Sequence, residues 1–301
     1  MFEFIDVERK FQEDFWSSHK SVLNKLSFKV EEGSLCGFLG ANGAGKTTSI
    51  KAFYKFIGID SGEIRYSKTL GHNWKEVRDN IGYFPERPYF YPSMTGREFC
   101  KYIFSLGNGK DFNLNLKVWS ERINIAYALD DKMKNYSKGM LQRLGFVTSV
   151  ISMPKLVILD EPLSGLDPVG RGDFKKALKE LNKEGVTIFF SSHIVSDVEE
   201  ICNDLVVIDK GSTTFCGSIN KLLDLDKEDR CNNVVVNTKG KKINLKYMNL
   251  VSEENYFSHG TVSQDDKNNF LKEVIDTNCD LVSMSENRKT LEKIVYSDIL
   301  K

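Results

Sequence analysis

Apolar and polar positions alternate along residues 2–7 and again along 23–30, the period-two pattern of strands with one buried face. Residues 34–39 form a short apolar strand closed by Gly40. After a glycine-rich stretch the pattern predicts a helix over 47–54, then a short strand, Ile81–Phe84, ending at Pro85. From 95 to 150 the spacing turns helical, with Phe99, Ile103 and Leu106, then Ile123 and Tyr127, then Leu141, Leu144 and Val147. Strand and helix then alternate. Strand Leu156–Leu159 precedes a helix carrying Phe174, Leu178 and Leu181 and stopped at Gly185; a strand over 186–190, helix Val195–Ile201 and a strand over 205–208 follow. Such alternation implies right-handed crossovers and a parallel sheet covered on both faces.

The charged stretch 224–230 (DLDKEDR) reads as a boundary between a domain over 1–224 and a small unit over 225–301. In the latter, strands are expected over 233–236, 243–247 and 281–284. Ser263 with Asp266 makes a capping-box start to a helix carrying Phe270, Val274 and Ile275, and a last helix carries Leu291, Ile294, Val295 and Ile299. The unit is thus a compact α+β module.

Composition narrows the function classes. Lys plus Arg equals Asp plus Glu at 42 each, so no overall field draws the chain to nucleic acid or an anionic bilayer. The longest apolar runs fall far short of the ~20 residues of a spanning helix, so no direct membrane insertion is expected. The opening MFEFIDVERK alternates like a strand and lacks the features of a secretory signal, which points to the cytoplasm. The six cysteines are scattered without CxxC spacing and read as reduced thiols.

Chemistry concentrates at two points. Gly40-Ala41-Asn42-Gly43-Ala44-Gly45-Lys46-Thr47 matches the phosphate-loop pattern G-x-x-x-x-G-K-[ST]. It lies between a strand and a helix, where backbone N–H groups and the helix N-terminus converge into an anion nest. Lys46 is expected to reach β- and γ-phosphate oxygens, Thr47 to bind Mg²⁺, and Thr48 to meet the α-phosphate. Residues 156–161 (LVILDE) are an apolar strand ending in two carboxylates, and a buried parallel strand delivers its C-terminal residues to the ligand crevice. Asp160 is expected to hold Mg²⁺ through the ion's water shell. Glu161, one residue further out, can orient or deprotonate the attacking water.

About twenty residues ahead of that strand stands Tyr136-Ser137-Lys138-Gly139-Met140, followed by Leu141-Gln142-Arg143, which resembles the signature of ATP-binding cassette (ABC) proteins. Ser164-Gly165-Leu166-Asp167 resembles that family's D-loop, and His193 after Phe189-Phe190-Ser191-Ser192 resembles its switch histidine. The likeness covers roughly residues 1–220. It implies an α/β P-loop NTPase cassette with an N-terminal antiparallel β-subdomain, a parallel core sheet and a helical subdomain at about 88–152, followed by the C-terminal accessory module.

The resemblance also implies roles. ATP and Mg²⁺ are the expected cofactors. Ser137 and Gly139 would complete the pocket of the opposite subunit, His193 would contact the γ-phosphate, and Asp167 would belong to the subunit contact. Glu86, after Ile81-Gly82-Tyr83-Phe84-Pro85, stands where the family has glutamine; it can accept from a metal-bound water but cannot donate as an amide does. Thr47, Asp160 and Glu86 are therefore the expected metal-side residues. Tyr136, Lys138 and Met140 replace the commoner Leu, Gly and Gln of the signature. Phe11 is the expected adenine-stacking residue, with Phe15 and Trp16 as rivals; His19, His72 and His259 read as ordinary surface or core histidines.

These implications add up to a transport-coupled ATPase. Two copies, or this chain and a paralogous cassette, would close around two Mg·ATP and drive a separate membrane permease of export type, from the inner face of the membrane. An ABC ATPase acting on nucleic acid or ribosomes is the alternative, although such relatives usually hold two cassettes or a long coiled coil. A module with degraded catalysis is disfavoured by the intact Lys46, Thr47, Asp160, Glu161 and His193. The cargo would be read by another polypeptide.

Overall fold

The computed structural model of the chain describes residues 1–12, 19–224, 231–237, 245–254, 256–263, 265–287 and 291–295. These divide into two compact units, residues 1–219 together with Val295, and residues 220–294.

The first unit opens with β1 (Phe2–Gln12) and β2 (His19–Val30), an antiparallel pair in which positive φ at Asp6 and Lys25 accompanies shifts of register. β3 (Leu35–Leu39) is buried along its whole length, as its unbroken apolar pattern requires, and feeds α1 (Lys46–Phe53). β4 (Ser61–Tyr66) joins β1 to complete the antiparallel sheet β2-β1-β4. After α2 (Trp74–Asp79) and β5 (Ile81–Phe84) come α3 (Gly96–Ser105), α4 (Phe112–Arg122) and α5 (Lys138–Val150). α3 starts at a capping box in which Thr95 Oγ1 accepts from the Glu98 N–H and the Thr95 N–H donates to Glu98. β6 (Leu156–Leu159), α6 (Pro168–Lys183), β7 (Thr187–Ser192), α7 (Val195–Ile201), β8 (Asp204–Asp209) and β9 (Ser212–Ser218) complete the unit.

The core sheet has the order β5-β6-β7-β3-β8-β9; every pair is parallel except β8–β9. Phe2, Phe4 and Phe28 of the antiparallel sheet meet Phe53 of α1 and Phe189 of β7, with Phe2 and Phe189 ring centroids 5.3 Å apart. This aromatic cluster fixes the first sheet against the second.

The second unit begins in α8 (Ile219–Asp224) and contains β10 (Cys231–Asn237), β11 (Asn249–Glu254), β12 (Phe257–Ser263), α9 (Lys267–Asp276), β13 (Asp280–Asn287) and α10 (Leu291–Ile294). Its antiparallel sheet runs β11-β12-β10-β13, and Phe270 and Val274 of α9 are buried with Val234, Val236 and Val262. The fold is thus α/β with antiparallel and largely parallel sheets plus helices.

Several expectations need correction. Ile123 is buried but lies beyond the end of α4, and Tyr127, in a single 3₁₀ turn, is 71% exposed, so the pair is no helical stripe. Residues 243–244 lie outside the described set and 245–247 form no strand; β11 begins at Asn249. Ser263 and Asp266 do bond reciprocally, but the helix starts only at Lys267, and Ile275 is 75% exposed rather than on the buried stripe. Phe15, Trp16, most of the charged boundary and Ile299 lie outside the described residues. Among the described residues, no helix is long and apolar enough to cross a membrane.

Candidate active site

β3, β6 and β7 lie side by side and parallel, so their C-terminal ends open on one crevice. The chain leaves β3 at Gly40 and wraps through Gly45, whose φ of 111° lies in a region that favours glycine. A Cβ at Gly40 would stand 2.7 Å from the Ile208 carbonyl oxygen, so the loop can hug the sheet only without one. Gly45 caps α1 with no side-chain hydrogen bond, which leaves first-turn N–H groups for an anion. Lys46 is only 7% exposed; its Nζ donates to the Gly40 carbonyl at 2.7 Å and lies 3.5 Å from Glu161 Oε1.

Asp160 follows β6 and is 1% exposed. Ser191 Oγ, at the end of β7, donates to Asp160 Oδ1 at 2.7 Å, while Oδ2 is buried without a hydrogen-bond partner. Burial pushes the Asp160 carboxyl above its ordinary value; the Ser191 and Thr47 hydroxyls oppose that shift, and the charges of Glu86 and Glu161 reinforce it. A buried, half-satisfied carboxylate beside a threonine hydroxyl, with a second carboxylate on the same crevice, is a hard-oxygen set that fits Mg²⁺ with retained waters. Among the described residues no group of three or more His, Cys, Asp or Glu could hold a metal, so phosphate and water oxygens would have to supply the remaining positions.

Glu161 adopts φ 50°, an uncommon conformation for a non-glycine residue. Its N–H donates to Ser191 Oγ at 2.8 Å, and its Oε2 lies 2.8 Å from His193 Nδ1. The turn aims the Glu161 side chain back between Lys46 and His193 instead of along the strand.

Lys46, Glu161 and His193 face a cavity of about 740 Å³, which the buried Asp160 does not line. Lys46, Thr47, Thr48, Glu86, Glu161 and His193 line it, with Phe11 on its wall, as do the loop residues Asn42, Gly43 and Gly45. One face of the Phe11 ring carries the Arg9 guanidinium, 4.7 Å from its centroid, and Asp60 anchors Arg9 at 3.0 Å. Gly40, Ala41 and Ala44 belong to the same loop without lining the cavity.

Ser137 and Gly139 are not brought to this cavity. Ser137 is exposed and caps α5, accepting from the Met140 N–H at 3.2 Å, and Gly139 is half-buried. Tyr136, buried behind them, donates its hydroxyl to the Ala128 carbonyl. Asp167 is exposed and caps α6, accepting from the Gly170 N–H at 2.8 Å, with Pro168 pre-shaping the first turn.

Sequence reasoning missed Ser191 and the Arg9–Asp60 pair. The signal for Ser191 was a pair of adjacent hydroxyls, Ser191 and Ser192, closing a buried strand with an apolar middle; Asp60 left none, because its partner lies fifty-one residues away.

Comparison with known proteins agrees with this arrangement. The ABC transporter family profile matches residues 23–164. An ABC transporter ATP-binding protein of Nostoc sp. (strain PCC 7120) is 34% identical over 98% of this chain and 89% of its own length. The bacitracin transport ATP-binding protein BcrA of Bacillus licheniformis is 37% identical over 65% of this chain and 64% of its own. A solved ATP-binding subunit of an ABC transporter superposes with a TM-score of 0.65 at 25% identity, covering 74% of this chain and 92% of its own. Phosphate loop, paired carboxylates, fold and relatives together make this chain a member of the ABC transporter family, as an ATP-binding subunit with ATPase activity.

Proposed function

We propose that residues 1–224 form the working cassette, that it hydrolyses Mg·ATP at the 40–48 loop, and that hydrolysis drives a separate membrane permease. The observation that carries the catalytic reading is the Glu161 carboxylate held between Lys46 and His193 at the mouth of a phosphate loop. Thr47, Asp160 and Glu86 would hold Mg²⁺, which when bound neutralises phosphate charge. Lys46 exchanges its Gly40 and Glu161 partners for phosphate oxygens. Glu161, released from the ammonium, takes a proton from the water that attacks the γ-phosphorus, and the P–O bond to ADP breaks as the new one forms. His193, on Glu161 Oε2, keeps the base oriented and meets the γ-phosphate. Phe11 offers its ring to the adenine.

Ser137 and Gly139, outside their own chain's cavity and accessible at a helix N-terminus, suit the γ-phosphate of a second copy or a paralogous cassette. A permease finds a candidate seat in a cavity of about 670 Å³ lined by Phe84, Tyr89, Phe99, Ile103 and Gly145, at whose rim Tyr89 is 78% exposed. The likeness to a bacitracin transport protein favours export, with the cassette in the cytoplasm against the inner face of the membrane. Residues 225–301 are an accessory module of this subunit.

Glu161→Gln tests the reading. It should keep ATP binding, lower turnover by ~10²- to 10⁴-fold, the usual worth of a general base, and trap an ATP-bound dimer. Wild-type hydrolysis in that variant would remove the assigned role. Copurification from membranes should return an integral permease; recovery of ribosomes or DNA instead would overturn the transport reading.

A further inference from the structure

We propose that Ser191 is a positioning residue for hydrolysis, a single hydroxyl that sets the conformation of both carboxylates. The inference rests on the roles assigned to Asp160 and Glu161. Ser191 is fully buried at the end of β7. Its one proton goes to Asp160 Oδ1 at 2.7 Å, and a lone pair accepts the Glu161 N–H at 2.8 Å. The hydroxyl thus has both functions used, in a place where a lost partner is expensive.

The Glu161 bond matters because φ at that residue is 50°. A non-glycine residue stays there only when its surroundings determine it. Ser191 supplies that determination from the next strand: β6 and β7 pair in parallel through Leu159↔Phe190, so Ser191 stands one step beyond the last pair, beside Asp160 and Glu161. Two residues on, His193 takes the Glu161 side chain from the same strand end. Backbone and carboxylate of the general base are therefore both registered to β7. Without the Ser191 hydroxyl, Glu161 is free to relax toward an extended backbone that carries its carboxylate away from Lys46 and His193.

Ser192 is the internal control. It is buried on the same strand, but its Oγ accepts from the Ile194 N–H at 3.0 Å and touches neither carboxylate. Ser191→Ala should lower kcat by about 10- to 100-fold, the scale of a displaced catalytic group, and leave the KM for ATP and metal-free nucleotide binding within about twofold. Ser192→Ala should keep kcat. In a Glu161→Gln background Ser191→Ala should cost clearly less than in the wild type, because one of the two carboxylates it positions is gone and only the Asp160 contact is left to lose.

Wild-type kcat in Ser191→Ala, equal loss in Ser192→Ala, or full additivity with Glu161→Gln would each overturn the proposal. If Ser191→Ala cannot be purified folded, Ser191→Cys keeps the volume with a weaker donor: reduced kcat at held KM supports the proposal and wild-type kcat refutes it. An unimpaired Glu161→Gln would instead indict the assignment of the base, which separates the two failures.

Discussion

Asp160→Asn should make this protein more stable and inactive at once. In the structure the Asp160 carboxylate is buried, has one oxygen bonded to Ser191 and leaves the other unpartnered. The amide can keep its oxygen on Ser191 and turn its NH₂ toward the Thr47 hydroxyl. An unsatisfied buried polar group costs about 1–3 kcal/mol. For a unit of this size each kcal/mol moves Tm by roughly 2–4 °C, so the variant should melt about 2–12 °C higher in EDTA at pH 7. The sign follows from the raised carboxyl. A folded-state pKa above the unfolded value means that the native protein binds the extra proton, so wild-type stability falls as pH rises through that interval. Well below about pH 4, where Asp160 is protonated in both states, the two proteins should converge. Adding Mg·ATP should stabilise the wild type and leave the variant nearly unmoved. Calorimetry with and without EDTA from about pH 3 to about pH 8 checks all of this. A variant melting at or below wild type in EDTA at neutral pH would show that the carboxylate is not a stored penalty and would sink the argument.

Two more outcomes follow from the same geometry. Phe11→Ala should weaken ATP binding by about 5- to 100-fold, the range of a base–aromatic stack worth ~1–3 kcal/mol, with little change in kcat at saturation; a fluorescent-nucleotide titration measures it, and unchanged affinity would move the adenine off this ring. Ser137→Ala should abolish turnover without weakening nucleotide binding by the monomer, while losing the α5 cap should lower stability by about 0.5–2 kcal/mol. Equal loss of monomer binding and turnover would contradict the opposite-subunit reading.

The elements that the sequence made legible are those whose periodicity is enforced by full burial. β6, β7 and α7 were read within a few residues because a run of buried apolar side chains, Leu156–Leu159 in β6, Ile188–Phe190 in β7 and Val195, Val198 and Ile201 in α7, leaves no other pattern. β4, with mostly exposed residues, and β9, with none buried, were invisible: they are strands because β1 and β8 offer edges to pair with, and no apolar stripe announces that. α2 was missed for a similar reason, since only Val77 of its six residues is buried. Ile275 failed in the opposite direction, because an apolar residue beside a helical stripe need not lie on it.

The site divides along the same line. Which groups carry chemistry was legible, since a phosphate loop and a strand ending in two acids are local patterns. How those groups hold one another was not, because the holding runs between strands that are neighbours in the sheet and strangers in the chain. β3, β6 and β7 are adjacent although more than a hundred residues separate the first from the others. Only that adjacency places Lys46 against Glu161, His193 against the same carboxylate and Ser191 against Asp160. A buried serine is tolerated where its hydroxyl has two strong partners, and here these are the Asp160 carboxylate and the Glu161 N–H, both from the residues that the reaction needs. The polar interruption of residues 187–192 is therefore the one sequence feature from which the cross-strand wiring could have been anticipated.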